Sequence, residues 1–186
     1  ELGYEAKSIN EGLAIVFSEL ESENFTGIGI SAGGGMCNAC LAYLSVPVAS
    51  FSTGKAGDYI DRSVGSVTGE SATRVKIVKE QSLDLAHAPQ DKIEEALHIY
   101  YDEVIQTLIT TLNDSVAKAS SEAHKLDRPV PVVLAGGTAQ PRGFRERFEK
   151  ALFLSKCPIP ISEVRLSAHP TQATARGAFI AAVYDN

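Results

Sequence analysis

The sequence predicts an α/β domain, five short strands alternating with helices, and three observations carry that prediction. Two apolar runs end in glycines: residues 27–31 lead into Gly33-Gly34-Gly35, and residues 130–135 lead into Gly136-Gly137. Between them, Ile93, Leu97, Tyr100, Tyr101, Val104, Ile105, Leu108, Leu112 and Val116 recur at helical period and form one apolar face. The chain has 186 residues, 44% of them hydrophobic and 22% charged, which is enough to bury one core and is neither disordered nor coiled-coil composition.

The elements follow in order. Ser8 and Glu11 have the spacing of a capping box, and Leu13, Val16, Phe17 and Leu20 then continue at helical period, so a helix is expected over 10–21. Residues 27–31, 40–44 and 46–51 are β-prone without helical spacing, which predicts a three-stranded meander turning near Ser45-Val46-Pro47. Asp58 is placed to cap a helix carrying Ile60 and Val64, and a second short helix is expected over 71–81. The long amphipathic helix is predicted over 90–124. The strand 130–135 then gives way to a glycine turn, after which Pro141 is placed to open a helix holding Phe144, Phe148 and Leu152. A last strand near 164–166 and a small-residue helix over 171–183 complete the pattern.

Composition excludes several functions. Seventeen Lys and Arg against 23 Asp and Glu give a net charge of −6, with no basic block to follow a phosphate backbone, so nucleic acid is not an expected partner. No apolar run approaches the roughly 18 residues that span a bilayer. The three cysteines are an odd number without framework spacing, which points to a reducing, cytoplasmic setting. The chain begins at Glu1 rather than Met, and is expected to be a piece of a longer protein.

A strand that ends in glycines leaves backbone N–H groups uncovered and lets a phosphate approach without interference from a Cβ. Glycine also serves ordinary tight turns, but two such strand ends in one chain favour an anion site. Neither is a Walker A loop or a dinucleotide fingerprint, because the Lys-Ser/Thr pair and the spacing are missing.

The order of these motifs resembles the second half of the actin, DnaK-type chaperone and sugar-kinase ATPase superfamily. The resemblance rests on Ile9-Asn10-Glu11-Gly12, on Ala32-Gly33-Gly34-Gly35, and on Gly57-Asp58-Tyr59-Ile60-Asp61. Further along it rests on Val132-Val133-Leu134-Ala135-Gly136-Gly137-Thr138 with Arg142-Gly143-Phe144, which is similar to the adenosine motif of the bacterial actin MreB, and on Pro170 with Ala175-Arg176-Gly177-Ala178. It covers nearly the whole chain. It implies an actin-like, ribonuclease H-like lobe with a mixed five-stranded sheet and helices on both faces, one of two lobes that close on ATP or ADP with Mg²⁺.

By that resemblance Gly33, Gly34 and Gly35 form the second phosphate loop, Gly57 lies near the nucleotide, and Gly136, Gly137 and Thr138 approach the adenosine and α-phosphate. Thr73 and Lys76 stand where the family has a Glu and a Lys beside adenine and ribose. Glu11 matches the polar residue that orients the attacking water, or else it is the capping-box partner of Ser8. Two positions depart from the pattern: Ser31 replaces the Asp that holds magnesium through water, and Met36 replaces the Thr after the glycines. A serine hydroxyl lacks the charge that a hard cation prefers, so no protein metal ligand is assigned and turnover by this chain alone is not expected. An actin-fold scaffold that has lost hydrolysis, working through self-assembly or protein partners, is the alternative.

The remaining motifs carry less. Gly29-Ile30-Ser31-Ala32-Gly33 fits the nucleophile elbow of serine hydrolases, with Asp127 and His169 downstream, but an elbow must run from strand into helix and the residues after Ser31 are β-prone. Cys37 and Cys40 form a CxxC with no second pair; three apart on a strand, they face opposite sides and are expected to be core residues, while Cys157 is a lone thiol. His87, His98, His124 and His169 have no ligand spacing. The charges Arg142, Arg145, Glu146, Arg147, Glu149 and Lys150 are expected to form the solvated face of their helix, with a lobe or filament contact as the other reading.

Overall fold

The computed structural model describes residues 6–119, 126 and 128–184. Its elements are α1 (Glu11–Glu19), β1 (Gly27–Ala32), β2 (Cys37–Tyr43), β3 (Val46–Thr53), α2 (Gly57–Thr68), α3 (Ala72–Gln81) and α4 (Lys92–Lys118). After these come β4 (Val130–Ala135), a 3-10 turn (Gly137–Ala139), α5 (Phe144–Leu154), β5 (Ile161–Leu166) and α6 (Ala173–Tyr184). The strands form one sheet in the order β3-β2-β1-β4-β5. Strands β1, β2 and β3 pair antiparallel as the expected meander, whereas β1–β4 and β4–β5 are parallel, so the sheet is mixed.

The pleat of β1 sorts its residues onto two faces. Ile28, Ile30 and Ala32 face the larger core, where they meet α2, α4 and α5 through Ile60, Val64, Leu97, Tyr101, Leu108, Phe144 and Phe148. The other face is covered by α1 and α6, with Ile15, Val16, Leu20, Val133, Ala135 and Ala173 in the smaller core. Glycines permit the close approach there: a Cβ on Gly29 would stand 2.1 Å from the Gly12 carbonyl oxygen, and one on Gly177 would stand 1.6 Å from that of Ala14. The Ala and Gly content of the last helix therefore lets α6 pack on α1. Cys37 lies in the larger core and Cys40 at the opposite phase of β2; both are free, and burial pushes their thiols up to about 12. They are inert core residues.

Several local expectations are corrected. The α1 cap is Asn10, whose Oδ1 accepts from the N–H groups of Gly12 at 2.8 Å and Leu13 at 3.3 Å, so Ser8 lies upstream and no capping box forms. The β2–β3 turn is at Leu44-Ser45, both at positive φ of 49° and 70°. That is the geometry hairpins usually assign to Asn-Gly, and neither residue advertises it. Helix α2 is capped at Ala56 rather than Asp58, which instead lies in its first turn. Pro141 is not the first residue of the helix: Arg142, bridged to Asp84, and Gly143 at φ 88° stand between it and α5. Helix α4 runs from its Asp91 cap to Lys118, and the last residues of the expected span, 120–124, lie outside the described residues.

Candidate functional site

Three glycine turns that are far apart in sequence meet at one end of the sheet. The loop after β1 is bound to the start of α2, because the N–H of Gly57 donates to the Gly33 carbonyl at 3.1 Å and that of Asp58 to the Gly34 carbonyl at 2.8 Å. The same Gly33 carbonyl accepts from the Thr138 hydroxyl at 2.8 Å, which draws in the turn after β4. Gly57 lies where these parts touch: a Cβ there would stand 2.6 Å from Thr138 Oγ1 and 3.3 Å from the Gly34 Cα. Gly136 holds a φ of 95° with its Cβ direction blocked by the Ala32 carbonyl, so the chain after β4 turns only because this residue is glycine.

The turns frame a cleft of about 700 Å³ whose lining includes Gly34, Asp58, Lys76, Lys79, Tyr101 and Thr138. Its size suits a small-molecule ligand. One wall is α3, which presents Lys76, Lys79 and Glu80. Lys76 is exposed, 3.8 Å from Glu80. Lys79 is only 7% exposed: its Nζ donates to the Gly57 carbonyl at 3.1 Å and sits 2.8–2.9 Å from the two oxygens of Asp61. Burial raises the Asp61 pKa, and the ammonium of Lys79 opposes that rise. The opposite lip is made by Asp84 and Arg142, paired at 3.4 Å.

Of the residues singled out from sequence, Gly34, Lys76, Gly137 and Thr138 line the cleft. Gly33, Gly57 and Gly136 build the turns behind it, and Gly35 is at the exposed tip of its loop. Thr73 is exposed one turn before Lys76 and is not part of the lining. Glu11 is also outside the lining; its carboxylate accepts from the Asn38 amide at 3.1 Å. Asn38 is opposite Ser31 in the sheet and accepts from the Ser52 hydroxyl, so Glu11, Asn38, Ser31 and Ser52 form a polar row next to α1. Ser31 is 4% exposed, and Met36 is 53% exposed at the far side of the loop.

Sequence reasoning missed Lys79, Asp61 and Tyr101. Lys79 lies three residues after Lys76 on the same helical face, a spacing that could have marked it. The hydrolase reading is corrected: β1 turns back into antiparallel β2, so the strand-to-helix elbow does not exist. Its Asp127 lies outside the described residues. The charged face of α5 is also corrected in part. Arg147 turns inward, donating to the Leu85 carbonyl at 3.0 Å, Asp102 at 3.1 Å and His98 Nδ1 at 2.9 Å. Among the described residues no cluster of three or more His, Cys, Asp or Glu is arranged to hold a metal ion, and no helix is long and apolar enough to cross a membrane.

Comparison with known proteins places this geometry in a family. The chain belongs to the Volactin family, whose model matches residues 1–182. Among solved structures it is similar to the ethanolamine utilization protein EutJ from Carboxydothermus hydrogenoformans, at 20% identity with a TM-score of 0.64 over 91% of this chain and 53% of that one. The fold is thus that of an actin-like ATPase, and the chain spans about half the length of this structural neighbour. No curated protein matches.

Proposed function

We propose that the chain is a single nucleotide-binding lobe of a longer, two-lobe actin-like ATPase, and that its cleft takes ATP or ADP with Mg²⁺. The observation that carries this reading is the meeting of the Gly33–Gly35, Gly57 and Gly136–Thr138 turns around one cavity flanked by Lys76 and Lys79. Backbone at Gly34 and Gly137, free of Cβ atoms, suits the close approach of phosphate oxygens, and the exposed Lys76 offsets part of their charge, while Lys79 is paired with Asp61. The nucleotide would supply the phosphoanhydride and, with its magnesium, the link to the missing N-terminal lobe. This chain would hold and orient it.

Turnover is not assigned to this lobe alone. Ser31 is buried in strand β1 and bears no charge to draw a hydrated cation, and Met36 offers no hydroxyl. The same two residues favour a second reading, an actin-fold scaffold that binds nucleotide without hydrolysing it and works through self-assembly or protein partners. The actin branch, with MreB as its bacterial example, is preferred to the chaperone branch because only residues 82–91 join α3 to α4, too few for a large inserted subdomain. Three free cysteines fit a cytoplasmic setting.

A residue-resolved NMR titration of the 186-residue chain with ADP and Mg²⁺ tests the reading. Shifts clustered at Gly34, Gly57, Lys76 and Gly137 are expected, and their absence at millimolar ADP would overturn it. Magnesium-dependent ATP hydrolysis by the purified chain would overturn the assignment of no turnover.

A further inference from the structure

Residues 82–91 join α3 to α4, and through Leu83 and Asp84 they form part of the cleft wall. At Leu85 this segment is tied down on both sides of its peptide unit. The Leu85 N–H donates to the Arg142 carbonyl at 2.8 Å, and the Leu85 carbonyl accepts from Arg147 Nε at 3.0 Å. Gly143 lets the segment lie close, since a Cβ there would stand 2.5 Å from the Ala86 nitrogen. The remaining tie, the 3.4 Å pair of Asp84 with the exposed Arg142, is open to water and holds weakly.

Arg147 is held in place by His98 of α4. Its Nη2 donates to His98 Nδ1 at 2.9 Å, and the histidine is 8% exposed. A guanidinium can only donate, so Nδ1 accepts and the neutral ring carries its proton on Nε2. The groups acting on the ring are Arg147 from α5, Asp102 and Glu94 from α4, and the Asp84 carbonyl from the segment itself. Asp102 is 60% exposed and already accepts from Arg147 Nη1 at 3.1 Å, while His98 Nε2 is buried without a hydrogen bond. Protonation would make Nδ1 a second donor facing the first, two cations in contact with little water between them. Arg147 would then swing out beside Asp102, and the Leu85 carbonyl would lose its donor.

We infer that His98 and Arg147 form a pH-sensitive latch on the cleft wall: neutral His98 keeps Arg147 on the Leu85 carbonyl, and protonation of His98 releases Leu83 and Asp84. The latch acts on the wall and not on its ligand, so it holds whether the cleft takes a nucleotide or another molecule. Burial first, then the guanidinium, lowers the His98 pKa in the closed form from its usual 6.5. The closed form is therefore favoured fully above 6.5 and loses ground as the pH falls from there through the depressed value, one proton being taken up per opening.

Amide hydrogen exchange read by NMR on the ligand-free 186-residue chain tests this in wild type, His98→Gln, Arg147→Met and His87→Gln. In the wild type the Leu85 N–H should be less protected than the β4 amides. Its protection, corrected for the intrinsic exchange rate, should fall by up to about tenfold per pH unit below 6.5. In His98→Gln, whose amide oxygen still accepts from Arg147 but does not titrate, that dependence should vanish. In Arg147→Met the Leu85 amide should be poorly protected already at neutral pH. His87 is the other histidine of the segment, 2.9 Å from Asp84, and its protonation would tighten the lip, so His87→Gln should keep the wild-type dependence. Leu85 protection equal to that of β4 overturns the latch, because the segment then opens only with the whole fold. A dependence that survives in His98→Gln or disappears in His87→Gln overturns it too, as does wild-type protection in Arg147→Met.

Discussion

Replacing Lys79 by Met removes the cation of a buried ion pair next to the cleft and keeps most of its apolar volume. The two side chains are 7% and 6% exposed, so screening by solvent gives little discount. At 2.8 Å and an effective dielectric near 20, the attraction is about 6 kcal/mol, similar to the cost of taking both ions out of water. The pair as a whole is therefore close to neutral for stability. Its halves are not: without Lys79 the Asp61 carboxylate is left buried and uncompensated, and the Gly57 carbonyl loses a donor. The expected loss is about 3–5 kcal/mol.

Urea or guanidinium denaturation of three chains measures this: wild type, Lys79→Met, and Lys79→Met with Asp61→Leu. The double variant should regain most of what the single one loses, since no buried charge remains. The single variant's deficit should also shrink as the pH falls. Burial already raises the Asp61 pKa in the wild type. Without Lys79 the folded value rises further above the unfolded one, so the penalty is complete above the folded pKa and is relieved as protonation neutralises the group. A Lys79→Met loss under about 1 kcal/mol would mean that the ammonium and carboxylate are solvated in solution, and a double variant as unstable as the single would mean that the damage is packing, not charge.

Two further outcomes follow from the geometry. Gly57→Ala should lose about 1–3 kcal/mol and blunt the ADP-induced shifts, because its Cβ would stand 2.6 Å from Thr138 Oγ1 and 3.3 Å from the Gly34 Cα; Gly34→Ala, which meets only the mobile end of Asp58 at 3.3 Å, should be milder, and equal effects in a paired melting and titration series would refute the steric account. His98 accepts from Arg147, and burial first, then that guanidinium, lowers its pKa against the opposing pull of Asp102, Glu94 and the Asp84 carbonyl. The histidine is thus neutral in the folded state, and its contribution is complete above the unfolded value of 6.5 and is lost as the pH falls from there through the depressed folded pKa. His98→Gln should flatten the urea midpoint between pH 7.5 and 5, and an unchanged slope would remove His98 as the cause.

What the sequence made legible is what depends on near neighbours. The meander, the strand 130–135 and the apolar face of α4 are set by local pattern, and the structure has all three, although β2 begins at Cys37, three residues before the expected 40–44. The errors fall where one residue type does another's work. Asn10 outcompetes Ser8 as a cap because its carbonyl reaches two N–H groups, and Leu44-Ser45 adopts a turn whose usual residues are absent. The glycine motifs marked the right end of the sheet, but they could not show that Gly57 touches Thr138 across 80 intervening positions. Nor could they show that Lys79 is the lysine folded under that contact. Such pairings are tertiary, made by α2 and α3 lying over the strand ends. Thr73 illustrates the difference: it shares a helix with Lys76, and a rotation of three residues should keep them on one face, yet only the C-terminal half of α3 reaches the cleft. Helical phase decides which way a side chain points, while the placement of the helix axis decides whether anything lies in that direction. Sequence carries the first plainly and the second only through the packing of the whole core.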